Sequence, residues 1–269
     1  LLLKDEATVV GLSTLKAHDE YTRNHSVNVA VLAMALGNRA GYRKAELADL
    51  GLAALFHDIG KCAVPLDILN SADRFGEREW TSMRTHPGEG VVRLLALRGV
   101  DQVPHRMAAA SFEHHMAQQN GYPVLGQPWK PTLSSRIIVI ADAYDAMTSV
   151  RTAQPQPMPP ASALGYMLKR PEEYDRTLIK HFVACIGMIP IGSLVLLSTG
   201  ELAVAIRPAP TREDAARPVV RVISDYKGTA LATPVDYDLR VPEQAGGRYI
   251  ARVIDNTQHR LDTSVYLSD

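Results

Sequence analysis

The chain has 269 residues, of which 46% are hydrophobic and 22% charged; this suits a folded protein of one large domain, or a large and a small one, and excludes a disordered chain. Lys and Arg total 29 against 29 for Asp and Glu, and aromatics make up 6%, so the chain has neither the basic excess of a nucleic-acid binder nor the aromatic content of a base-stacking surface. Two cysteines, Cys62 and Cys185, supply no disulfide framework and point to a reducing compartment, the cytoplasm.

No apolar run reaches the roughly 18–20 residues needed to cross a bilayer. The opening Leu1-Leu2-Leu3 is followed at once by Lys4, Asp5 and Glu6, which is not the pattern of a signal peptide. With no initiator Met, the expectation is a segment of a longer protein.

In chain order, the periodicity predicts a helix over residues 6–16. A second starts near His25, with Val29, Leu32 and Leu36 at helical spacing and a weak end at Gly37 and Gly41. A third is expected over 44–58, and buried helices over 107–115 and 133–149. Prolines in TAQPQPMPP, within residues 151–160, forbid helix and predict a loop; helix resumes over 161–169 and 175–185. From Gly187 the pattern changes to strands. Runs at 194–197 and 202–206 flank Ser198-Thr199-Gly200-Glu201, a hairpin signal, and further short apolar runs lie at 219–223 and 249–254. The expected architecture is mainly α, with residues 1–186 a helical domain and 187–269 a small β-rich appendage.

The strongest chemical signal is His57-Asp58, which ends the apolar run Leu52-Ala53-Ala54-Leu55-Phe56. On a helix, His57 shares a stripe with Leu50 and Ala54, so Asp58 would be buried beside them. An unpaired buried charge costs several kcal/mol, and a bound cation removes that cost. The alternative is an Asp that caps the next turn before Gly60. His25 lies on the apolar stripe of its helix, and His86 precedes Pro87 and so belongs at a helix start. His114-His115 follow an apolar run, and Asp142 sits inside another. Any one of these is an ordinary core or surface residue. Together, five His and two Asp offer nitrogen and oxygen ligands for a binuclear site with open positions.

The order of these residues resembles the HD-GYP branch of the HD-domain metal-dependent phosphohydrolases. The strings that carry it are HDIGK at 57–61, THP at 85–87, EHH at 113–115, GYP at 121–123 and ADAYDAMTS at 141–149. The resemblance spans about residues 12–184 and implies an HD-domain helical bundle. It implies that Asp58 bridges two metals, with His25, His57 and Asp142 completing one site and His86, His114 and His115 the other. Lys61 would meet a phosphoryl oxygen, and Asp145 would orient a metal-bound His. Arg151, Tyr122 and Gln154 would face substrate. The implied cofactors are two divalent ions, iron or manganese. The implied reaction is hydrolysis of cyclic di-GMP to linear pGpG or GMP, with signalling proteins such as diguanylate cyclases as partners.

Several positions depart from the family pattern. Tyr21 stands where an acidic residue would support a third metal, which argues for two metals. The stretch from His114 to Pro123 is one residue short and lacks the usual Glu and first Gly. Gln154 replaces a basic residue, Ala153 a Tyr, and Asp175-Arg176 an Asp-Pro turn. Metal ligands are therefore intact while substrate-facing positions are altered. A cyclic di-GMP-binding signalling module with little turnover, or a phosphohydrolase of another nucleotide, are the competing readings.

Overall fold

A computed structural model of the chain describes residues 21–69, 71, 74–96, 103–117, 121–149, 158–209, 214–254, 261 and 263–267. The helix expected over 6–16 and most of the proline loop, with Arg151, Ala153 and Gln154, lie outside the described residues.

The helical part is built around α7, Leu133–Thr148, in which every residue from Ile137 to Asp145 is buried. A stretch buried all round can exist only with neighbours on every side. The helix starts where Thr132 Oγ1 accepts the Ser135 backbone N–H at 3.2 Å. Against it packs α1, Tyr21–Arg39, through Val29, Ala33 and Leu36, and α2, Lys44–Leu55, packs in turn on α1, with Leu50 and Ala54 in the same core. The two small residues Gly37 and Gly51 let α1 and α2 approach: a Cβ on Gly37 would lie 2.5 Å from the Leu50 side chain. A 3-10 turn, Ile59–Ala63, and short helices α3, Leu66–Leu69, and α4, Glu77–Met83, lead into α5, His86–Leu95, and α6, Val103–Glu113. After α7 come α8, Pro160–Leu168, and α9, Arg176–Ile186. Asp175 caps α9, accepting from the N–H groups of Thr177 and Leu178, and Phe182 of α9 is fully buried in the shared core.

Strands β1, Leu194–Leu197; β2, Leu202–Arg207; β3, Val219–Ser224; β4, Ala230–Asp238; and β5, Ile250–Ile254, form one antiparallel sheet in the order β4-β3-β2-β1-β5. A one-turn helix α10, Pro242–Ala245, precedes β5. The β1–β2 connection turns at Gly200, whose φ of 87° suits glycine. Alternation separates the two faces. Val195, Ala203, Ala205, Val220 and Val222 pack with Ile189, Leu239 and Ala245 on one side. Leu194, Val204, Ile223 and Ile254 pack with Leu261 and Tyr266 on the other.

Three expectations are corrected. The helix expected over 44–58 ends at Leu55, and the one expected over 107–115 ends at Glu113, so that both His-bearing segments are turns. β4 was not expected: it is an edge strand with mostly exposed side chains and Pro234 inside it, so it lacks an apolar signature.

Candidate metal centre

The site begins where α2 stops. The Phe56 N–H donates to Leu52 O, and the chain then tightens, with Lys61 N–H donating to Asp58 O at 2.9 Å. Gly60 allows this turn to press on the start of α5: a Cβ there would stand 1.9 Å from the His86 carbonyl oxygen and 2.5 Å from Gly90 N. That contact brings His57-Asp58 beside His86.

Three histidines share one local device. The Nδ1–H of His57 donates to Ala54 O at 2.7 Å, that of His86 to Met83 O at 2.7 Å, and that of His114 to Ser111 O at 2.8 Å. Each acceptor is a carbonyl three residues back. A carbonyl only accepts, so Nδ1 carries the hydrogen and Nε2 presents a lone pair. His25 is oriented from another helix. Its Nδ1 is 2.8 Å from Asp145 Oδ2, and Asn28, one turn further along α1, donates to Asp145 Oδ1 at 3.1 Å.

Asp58 stands between two groups of these nitrogens. Its Oδ2 is 3.4 Å from His57 Nε2, while its Oδ1 is 3.4 Å from His86 Nε2 and 3.5 Å from His114 Nε2. Asp142 Oδ1 is 3.2 Å from His25 Nε2 and 3.9 Å from His57 Nε2. Ligand atoms of Asp58, His86, His114 and His115 all lie within 4.8 Å of one another, and the same holds for His25, His57 and Asp58. All seven residues of the expected ligand set thus converge. Lys61, in the 3-10 turn, donates to Asp58 Oδ2 at 2.5 Å.

The electrostatics suit a cation at this position. Burial, reinforced by neighbouring His115, holds His114 down to about 3; burial, with Lys61 and His115 adding, holds His86 down to about 4. Both are neutral at pH 7, yet their Nε2 atoms face each other at 3.2 Å. Two lone pairs at that distance repel unless a positive centre lies between them. His57 Nε2 and Asp58 Oδ1 are buried with no hydrogen-bond partner. On the other side burial opposes a charge on His25, but the Asp142 and Asp145 carboxylates outweigh it and raise the imidazole to about 9. Against the cost of burial, Lys61 and His57 hold the Asp58 carboxyl well below its usual range. Orphaned lone pairs, imidazole and carboxylate donors and no thiolate fit divalent ions of the iron and manganese type.

Tyr122 closes one side. Its ring stacks on His115 at 4.7 Å and 30°, and its N–H donates to His115 O at 3.3 Å. Sequence reasoning gave no role to Glu113 or Asn28. Glu113 is buried and accepts from Trp129 Nε1 at 2.9 Å, Thr132 N at 2.8 Å and Ser135 Oγ at 2.6 Å, tying the segment after the histidine pair back to α7. A carboxylate directly before two histidines at the end of an apolar run was the available signal. For Asn28 it was a polar residue one turn from His25 on an apolar stripe.

Residues 22–147 match the family model described as HD domain. This segment is an HD domain. All seven converging residues fall inside it, whereas Arg151 and Gln154 lie beyond it. The chain is 34% identical over 206 residues to a cyclic di-GMP phosphodiesterase of Pseudomonas aeruginosa, a match covering 76% of this chain and 49% of that protein. It is 30% identical over 141 residues to 3'3'-cGAMP-specific phosphodiesterase 2 of Vibrio cholerae, covering 52% of this chain and 27% of that one. The chain therefore spans about half, or less, of the length of these relatives. The fold is similar to that of an HDG"Y"P protein from Bdellovibrio bacteriovorus, with a TM-score of 0.52, 18% identity, and coverage of 67% of this chain and 57% of that one. Among the described residues no helix of the HD domain or the sheet region is long and apolar enough to cross a membrane.

Proposed function

We propose that the chain is a metal-dependent phosphodiesterase that hydrolyses cyclic di-GMP to linear pGpG or GMP. The observation that carries this reading is Asp58, whose Oδ2 faces His57 and whose Oδ1 faces His86 and His114, with His57 Nε2 and Asp58 Oδ1 buried and without a hydrogen-bond partner. His25, His57 and Asp142 would hold one ion, His86, His114 and His115 the other, and Asp58 both. When bound, such ions supply Lewis acidity that makes water nucleophilic at neutral pH and offsets charge on phosphoryl oxygens.

The side chains do the rest. Asp145 fixes the His25 ring through Nδ1, and the three i−3 carbonyls do so for His57, His86 and His114. Lys61, paired with Asp58 in this structure, is the cation nearest the bridging carboxylate and would swing its ammonium to a phosphoryl oxygen. Tyr122 lines the substrate side, and Arg151 and Gln154 are assigned to substrate contacts. The domain division at 186/187 belongs to the same proposal; it is supported by a helical core that ends with Ile186 and separate sheet cores that begin with Ile189.

The test is turnover of cyclic di-GMP by protein loaded anaerobically with iron or manganese, with 3'3'-cGAMP beside it, because relatives specific for that nucleotide also match. Linear product from cyclic di-GMP supports the proposal. Cleavage of 3'3'-cGAMP alone reassigns the substrate, and binding without cleavage makes the chain a signalling module. Asp58→Ala should lose metal and turnover together; retention of both ions overturns the bridging role.

A further inference from the structure

Arg84 is a cation beside Tyr122, on the His115 side of the candidate metal centre. It is the C-cap of α4, two residues before His86. Its guanidinium carbon lies 5.7 Å from the ring centroid of Trp80 and 6.0 Å from that of Tyr122, the ring that stacks on His115. Both contacts are within the range in which an aromatic face attracts a cation. Trp80 is itself 43% exposed, and Arg84 is exposed.

The aromatic faces hold the guanidinium without using its N–H groups. Among the described residues no carboxylate lies within ion-pair distance of Arg84, whereas Arg136 is tied to Asp175 and Arg248 to Glu201. A planar fork of donors, held in place and left uncommitted, is suited to an oxyanion. A cyclic dinucleotide carries two phosphodiesters, and the metal centre can take one. Lys61 is committed on the Asp58 side, so the second phosphodiester needs a cation elsewhere. The Tyr122 side of the centre offers Arg84.

We propose that Arg84, held against Trp80 and Tyr122, binds the non-scissile phosphodiester and so favours two-phosphate cyclic nucleotides over simple diesters. This inference rests on the phosphodiesterase reading. Its test compares wild type, Arg84→Ala and Arg84→Lys in the manganese-loaded chain, on cyclic di-GMP and on bis(4-nitrophenyl) phosphate, which has a single phosphodiester. Arg84→Ala should raise KM for cyclic di-GMP roughly ten- to a hundredfold, the effect of one charge-assisted hydrogen-bonded contact, with kcat much less affected. The ratio of kcat/KM for the dinucleotide over the simple diester should fall by the same factor. Arg84→Lys should recover part of the loss, because it keeps the charge and loses the fork.

Equal losses on both substrates, or an unchanged KM for cyclic di-GMP, overturn the assignment. If wild type binds cyclic di-GMP without turnover, Kd by calorimetry replaces KM with the same expectation. If wild type neither binds nor cleaves it, the cyclic di-GMP reading falls and this inference with it. If wild type cleaves it and Arg84→Ala matches wild type, only the role of Arg84 is lost.

Discussion

Replacing Gly60 by Ala tests the contact that assembles the metal centre. The added methyl would stand 1.9 Å from His86 O, 2.5 Å from Gly90 N and 2.8 Å from His86 C, all backbone atoms that no rotamer change can move. Ordinary van der Waals contact begins at 3.4 Å, so the 3-10 turn must withdraw from α5 by roughly 1.5 Å. Metal–ligand distances tolerate about 0.2 Å, and Asp58 on the turn and His86 on the helix serve the same cluster. The overpacking itself should cost about 1–3 kcal/mol, or ~2–12 °C in Tm for a domain of this size. Gly88→Ala, on the α5 side of the same contact, is the control. Nothing lies within 4 Å of a Cβ at that position, so the same methyl should stabilise by about 0.4–1 kcal/mol through the unfolded state. The assay is thermal unfolding by circular dichroism together with metal content by elemental analysis. The reasoning is refuted if Gly60→Ala binds metal like wild type and melts as high as Gly88→Ala.

Three further outcomes follow from single residues. Asp145→Ala removes the acceptor for His25 Nδ1 and Asn28 Nδ2 and should weaken metal binding by about 10–100-fold with the fold retained, as read by metal titration. Glu113→Ala leaves Trp129 Nε1, Thr132 N and Ser135 Oγ without their acceptor; a loss of about 2–3 kcal/mol and a changed Trp129 fluorescence are expected, and an unaltered emission would place the loop's anchor elsewhere. Asp175→Ala removes the α9 cap and the 2.7 Å ion pair with Arg136 and should cost about 1–2 kcal/mol at neutral pH. Although burial pushes the other way, the Leu178 and Thr177 N–H groups and Arg136 lower the Asp175 carboxyl in the fold. Its stabilisation is therefore complete above the unfolded value near 4 and is lost as pH falls through the lower folded value. The gap in Tm between wild type and variant should close in acid, and a gap constant from pH 7 to pH 2 would contradict that.

The sequence by itself determined the helical body, the change to strands near residue 187 and which histidines and carboxylates are candidates for one site. These are legible because they depend on local patterns: apolar periodicity, a Pro after His86, and histidines and carboxylates embedded in apolar runs. Tertiary structure decided the rest. The seating of the turn after Asp58 against α5 depends on Gly60 meeting the backbone of that helix, a contact between segments that no local pattern records. The orientation of His25 depends on Asp145, 120 residues away on another helix. The roles of Glu113 and Asn28, and the placing of Arg84 beside Tyr122, arise in the same way from packing between elements. β4 stayed hidden because an exposed edge strand is held by hydrogen bonds to β3 rather than by its own apolar side chains. Local propensity writes the elements into the chain, but the geometry of a site belongs to the contacts between them.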